Sequence, residues 1–371
     1  MADGNSILDK ILASKEDQEK KEFNPFEVIG QLLLQLNEKE ADVLKRRYGL
    51  GEAPKETLEA IGASYKVTRE RIRQIENLAV KKIKQAVNFQ TLMKPVEHVV
   101  VTVLEEHGGV MNEQHLLEEL FPIKRTPVND QAMIFLLSDL IDHRVSKLGP
   151  DTIFMRGWRL KSTDLDFVTA AIDMLQECIR SANTPQDIVQ LYELVRAHSF
   201  YKLHETALSE KAILAFLEVS NQIDRNPFDE YGLREWGSIV PKRMNDKIYL
   251  VLKKVGKPMH FVDIARKITE VFSKEAYPPT VHNELILNQH YVLVGRGIYA
   301  LREWGYQKGV VADVIAEIVR AHNKPMSREE IVDAVLKQRI VKKNTIHLAL
   351  TNKAYFSKLP DGRYALTTQS A

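Results

Sequence analysis

Cysteine is almost absent from this 371-residue chain; Cys178 is the single one. One thiol can form neither an internal disulfide nor a cysteine-based zinc site. That usage suits a reducing cytoplasm, where the protein is expected. The 11 histidines are scattered, and no two stand at the helical spacing that grips a metal. No metal ligands and no cofactor are therefore expected. Glu105-Glu106-His107 and Asp142-His143 read as solvated polar pairs. A phosphate-binding loop is missing as well. Gly295-Arg296-Gly297 lacks the strand-to-helix context of a nucleotide site and reads as a hairpin turn. No catalytic residue or small-molecule substrate is assigned, and the chain reads as a non-enzyme. The leader, residues 1–22, is short, charged and expected to be flexible, too polar for a signal peptide or membrane anchor. No membrane partner is expected.

What the chain does contain is a run from Lys66 to Glu76, Lys-Val-Thr-Arg-Glu-Arg-Ile-Arg-Gln-Ile-Glu. Thr68 is suited to cap a helix, because its hydroxyl can accept from a free amide of the first turn. Ile72, Ile75, Ala79 and Ile83 then recur at helical spacing and form one apolar stripe. At about 100° per residue, Arg69, Glu70, Arg73, Gln74 and Asn77 fall on the opposite side. Those side chains can read base edges in a major groove: Arg takes guanine, Gln or Asn adenine, Glu the cytosine amine. Seven cations (Lys66, Arg69, Arg71, Arg73, Lys81, Lys82 and Lys84) face only Glu70 and Glu76 here, whereas the whole chain carries +2. Charge gathered in this way favours double-stranded DNA over a merely solvated face. The bland alternative is a helical hairpin with a charged outer surface.

The residues before it fit a helix-turn-helix. Thr57 to Tyr65 reads as a short amphipathic helix, and Gly62 is small where two helices must approach closely. Ile61, Tyr65, Val67, Ile72 and Ile75 are apolar where such a unit needs its core. Upstream, Asn37 and Glu40 make a capping pair for the helix carrying Val43 and Leu44. Phe26, Ile29, Leu32, Leu33 and Leu36 form an apolar face after Pro25. That face either completes the small core or stays partly open for a protein partner.

At Glu38–Gly51, Thr57–Gly62 and above all Val67–Glu76, the sequence resembles region 4 of the sigma-70 family, over about residues 23–90. The resemblance implies recognition of a promoter −35 element and docking of the first half on the β flap of bacterial RNA polymerase core. By position it implies base reading by Arg69, Glu70, Arg73 and Gln74. Thr68, Arg71, Lys81 and Lys82 would then meet phosphate. Leu78 departs from the pattern, since principal sigma factors usually carry a basic residue there. The aromatic-rich region that captures a −10 element has no counterpart before residue 23, so promoter melting by this chain alone is not expected.

The remainder repeats itself. Thr280-Val281-His282 matches Thr345-Ile346-His347, and Leu285 matches Leu350, Tyr291 matches Phe356, Gly297 matches Gly362 and Tyr299-Ala300-Leu301 matches Tyr364-Ala365-Leu366. All of these share one offset, 345 against 280, or 65 residues. Lys257-Pro258-Met259 matches Lys324-Pro325-Met326 with a two-residue slip, and Tyr231–Gly237 echoes Tyr299–Gly305. Each unit reads as three helices and two short strands, the logic of a winged helix. In the last unit a helix over Val311–Ala321 precedes one capped by Ser327, a third opening at Asn344 or Thr345, and an Asp361-Gly362 hairpin turn. Units are placed at 94–162, 164–238, 240–306 and 307–371. They resemble the winged-helix domain family shared with the delta subunit of bacterial RNA polymerase, most clearly at Lys257–Ala265 and Tyr299–Trp304. That family includes protein-contacting members and members thought to touch DNA. Trp158, Trp236 and Trp304 read as packing residues between wing and core rather than as base-stacking platforms.

The expected fold is mainly α: an N-terminal helix-turn-helix domain, 23–90, followed by about four tandem winged-helix-like units. The expected function is sequence-specific DNA binding in transcription with contact to RNA polymerase. One rival is a polymerase accessory subunit whose modules mainly dock on protein. Another is an architectural or defence-associated DNA-binding protein without polymerase contact.

Overall fold

The computed structural model describes residues 24–51, 54–122, 125–306 and 309–367. The leader, residues 1–22, lies outside them. The architecture is mainly helical with small antiparallel sheets. The chain divides into two compact units, one running to Asp224 and including Tyr231–Arg234, the other holding Arg225–Glu230 and the chain from Glu235.

The first unit opens with helices whose starts are set by local polar groups. Asn24 caps α1 (Pro25–Leu33), accepting from the Phe26 amide at 3.2 Å, and Pro25 at the first position has no amide to lose. Asn37 and Glu40 form a reciprocal capping box at the head of α2 (Glu38–Tyr48), with bonds of 2.9 and 3.2 Å. Gly49 ends it in the left-handed region, φ +69°. Then come α3 (Leu58–Tyr65) and α4 (Arg69–Gln85). The next helix, α5 (Phe89–Glu106), runs straight through residues 90–94, where the sequence suggests a domain boundary. The core explains this. Ile29, Leu32, Leu44, Ala79 and Ile83 belong to the same buried cluster as Met93, Val96, Val100 and Phe135, so α5 packs on the helices before it.

Beyond α5 lie β1 (Val110–Asn112), α6 (Glu113–Leu120), α7 (Pro127–Phe135, extended by a π-helical turn to Leu140), β2 (Val145–Leu148) and β3 (Gly157–Leu160). The strands form an antiparallel sheet in the order β1-β3-β2. Trp158 stands opposite both Met111 and Lys147, is fully buried, and donates its indole N–H to Glu113 at 3.3 Å. It is a packing residue. The expectation of a solvated Glu105-Glu106-His107 fails at His107, which is 2 % exposed; only Glu105 is open to solvent. His107 closes α5 just where Gly108 and Gly109, both at positive φ, turn the chain back into β1.

Residues 164–238 hold α8 (Leu165–Ala182), α9 (Ile188–Ala197), the short α10 (Ser199–Leu203), α11 (Glu210–Val219) and the hairpin β4 (Ile223–Arg225) with β5 (Tyr231–Leu233). Four helices therefore precede the strands, one more than the expected three. The extra one is α10, which His198 caps through its own ring nitrogen, a start signal unlike the usual hydroxyl or carboxylate.

The second unit contains α12 (Met244–Val255), β6 (Met259–His260), α13 (Phe261–Phe272), α14 (Pro278–Leu287), β7 (Tyr291–Gly295) and β8 (Ile298–Leu301), with sheet order β6-β8-β7. Gly297 makes the turn between β7 and β8 at φ +68°, where a Cβ would stand 2.5 Å from the His260 ring. After it come α15 (Val311–His322), α16 (Arg328–Gln338), α17 (Lys343–Leu350), β9 (Phe356–Lys358) and β10 (Tyr364–Leu366). Ser327 caps α16 in a capping box with Glu330. Gly362, φ +86°, turns the β9–β10 hairpin. The third helix starts one or two residues before the expected Asn344 or Thr345, without a side-chain cap. Val281, Leu285, Tyr291 and Tyr299 lie in one buried cluster; their 65-residue counterparts Ile346, Leu350, Phe356 and Tyr364 lie in another.

Candidate nucleic-acid interface

The turn between α3 and α4 is held by close backbone approach. The Val67 amide donates to the Gly62 carbonyl at 2.9 Å, and a Cβ at position 62 would stand 2.8 Å from the Val67 carbonyl oxygen. Lys66 takes the left-handed conformation that closes α3, φ +54°. Thr68 then caps α4, its hydroxyl accepting from the Arg71 amide at 3.2 Å. Val43, Ile61, Ile72 and Ile75 form the local core, with Leu58, Tyr65 and Val67 packed against it. Ala79 and Ile83 continue the stripe into the main cluster.

With that side buried, the opposite side of α4 is turned outward. Arg69, Glu70, Arg73, Gln74 and Asn77 are all exposed. Two pairs are pre-arranged along it. Arg73 donates twice to the Glu70 carboxylate, at 2.9 and 2.6 Å, which holds that carboxyl below its usual range. Arg71 donates to the Gln74 side-chain carbonyl at 3.1 Å. The fork holds the guanidinium against the carboxylate on the solvent side of the helix.

The residues assigned to phosphate are arranged less uniformly. Thr68, Arg71 and Lys81 are exposed around the start and middle of α4. Lys82 is exposed too, but its ammonium reaches back to Glu40 of α2 at 2.5 Å. That hydrogen bond is the main cause holding the buried Glu40 carboxyl below its ordinary value. Glu76 counts in the sequence merely as an anion among cations. In the fold it is buried on the apolar stripe and pairs with Arg47 at 3.4 Å. The signal was available, since Glu76 lies one turn beyond Ile72 and adjoins Ile75.

Between α1 and α2, an apolar groove is lined by Phe26, Ile29, Leu33, Leu34 and Leu36, with Lys39, Asp42 and Lys45 at its rim. Ile29 and Leu33 complete the core while Leu34, 81 % exposed, and Phe26, 42 % exposed, remain open. The face thus completes the core at Ile29, Leu32 and Leu33, while Phe26 stays open to solvent.

A two-helix unit with a tight turn and an outward polar face on its second helix is a helix-turn-helix of the DNA-binding class. Residues 32–85 match the family described as Sigma-70, region 4. The RNA polymerase sigma factor SigA of Lactococcus lactis subsp. cremoris is 38 % identical over 81 residues, 22 % of this chain and 22 % of that one. SigA of Nostoc sp. is 48 % identical over 58 residues, covering 16 % and 15 %. RNA polymerase sigma factor RpoD of Helicobacter pylori is 42 % identical over 82 residues, covering 22 % and 12 %. The chain therefore carries a sigma-70 region 4 helix-turn-helix and spans about a fifth or less of the length of these relatives. Among the described residues, no helix is long and apolar enough to cross a membrane.

Proposed function

We propose that this protein is a non-enzymatic bacterial transcription factor that reads a −35-type DNA element through α4 and contacts RNA polymerase. One observation carries the reading: a polar, cation-rich face of α4 is exposed along its length while its isoleucines are buried behind it. Phosphate contacts from Thr68, Arg71, Lys81 and Lys82 supply affinity and register, and Arg69, Glu70, Arg73 and Gln74 supply the choice of sequence. The open part of the α1–α2 groove, an apolar floor with a charged rim, suits docking on the β flap.

We read the segments after α5 as a scaffold of winged-helix-like units similar to the delta subunit domain. The equivalent buried positions of 240–306 and 307–371 support that reading. The rival is an accessory subunit in which the helix-turn-helix and the winged helices are mainly protein-docking modules, and the exposed Phe26 and Leu34 serve it as well as the first reading. Unbiased selection of duplexes bound by the full chain separates the two. A −35-like consensus supports sequence reading, and a random pool supports docking. Co-isolation with core polymerase distinguishes both from a DNA-binding protein with no polymerase contact.

A further inference from the structure

Away from the helix-turn-helix, the fold gathers two histidines and a glutamate that lie apart in the sequence. His107 ends α5, and its ring meets the ring of His115 edge-on, with centroids 5.3 Å apart and planes at 86°. Glu119 stands four residues after His115 and so shares its face of α6. One potential ligand atom from each of the three side chains lies within 4.8 Å of the others. The sequence offers no pair of histidines at helical spacing on one helix, and this grouping is made instead across the α5–β1–α6 connection.

The surroundings suit ligation. His107 is buried, and its Nδ1 donates to the Val103 carbonyl at 2.7 Å. That bond keeps the proton on Nδ1 and leaves the Nε2 lone pair for a ligand, the outer contact that metal-bound histidines use. His115 Nδ1 is buried and has no hydrogen-bond partner. An unpaired buried ring nitrogen is costly unless something is coordinated there. The backbone is held independently of any ion. Asn112 caps α6 by accepting from the His115 amide at 2.7 Å, and Gly109 packs where a Cβ would lie 2.2 Å from Thr163 Oγ1.

We propose that His107, His115 and Glu119 form a three-ligand site for a late first-row divalent cation, zinc foremost, that ties the end of α5 to α6. Two imidazoles and one carboxylate are a donor set for zinc, cobalt or nickel rather than for calcium or magnesium, which take oxygen ligands. Tetrahedral zinc with bonds of about 2.0–2.1 Å keeps its ligands roughly 3.4 Å apart. The half-buried side chains of His115 and Glu119 close on the fixed His107 to reach that spacing. Three protein ligands leave a fourth position for water. This inference does not depend on the DNA-binding reading.

The test uses the full chain, stripped with a chelator and titrated with Zn²⁺ by calorimetry, with Co²⁺ as a spectroscopic probe. One equivalent should bind, raising Tm, and Co²⁺ should show the intense visible absorption of a four-coordinate site. Glu119→Gln, which keeps shape and loses charge, should weaken Zn²⁺ by at least about tenfold. His115→Ala should abolish the site, and Mg²⁺ should leave Tm unchanged. Circular dichroism of the metal-free variants checks that they fold; if His115→Ala does not, Glu119→Gln decides. Native protein that takes up no Zn²⁺, or takes it up as well as Glu119→Gln does, overturns the proposal.

Discussion

Glu70 holds Arg73 through two hydrogen bonds on the exposed face of α4, so the direction of the guanidinium is set within the helix itself. Replacing Arg73 by Ala should lower discrimination at one base position by roughly 10- to 100-fold while leaving the others intact. Glu70→Ala should blur the same position, because the guanidinium loses its guide, and relax the choice at the base that Glu70 itself meets. Competition binding against single-base variants of a selected site measures both.

Lys81 is the cleaner probe of the phosphate contacts, since Lys82 also secures Glu40. Lys81→Ala should weaken all sequences about equally. The slope of log affinity against log salt should fall by about one. A titration over several salt concentrations checks this.

Gly62 allows α3 and α4 to meet. Gly62→Ala would press a methyl against the backbone at Val67, where nothing flexible can yield. We expect a loss of about 1–3 kcal/mol in urea unfolding, with weaker DNA binding at temperatures where the native form still dominates.

The Glu40–Lys82 pair carries an acid-side signature. Because the folded-state Glu40 carboxyl titrates below its unfolded value, its stabilisation is present above the unfolded value of about 4.3 and is lost as pH falls through the folded one. Lys82→Met should reduce stability at neutral pH and flatten its decline as pH falls below about 4.3. Denaturant midpoints across that range show the difference.

The groove between α1 and α2 yields a prediction about protein contact. Leu34→Glu places a charge on its open part without touching the buried Ile29 or Leu32. Recovery of core polymerase with the full chain should drop, with DNA selection unchanged.

The helix-turn-helix was legible because its determinants are local. Thr68, Gly62 and the isoleucine stripe act within a turn or two of their own positions. What escaped depends on distant closures. Helix α5 crosses residues 90–94 because Ala79 and Ile83 share a core with Met93 and Val96, which periodicity within one helix does not show. Strands β1 and β6 span three and two residues, too short for an alternating pattern. His107 looked solvated beside two glutamates, and only the glycine turn and packing of α6 bury it.

The most direct test compares the native chain with the double variant Arg73→Ala/Gln74→Ala on a selected duplex and on its shuffled sequence, at one salt concentration. The native chain should prefer the selected duplex by orders of magnitude, and the variant should bind both alike. A variant that retains the native preference would contradict the claim that this face of α4 reads DNA.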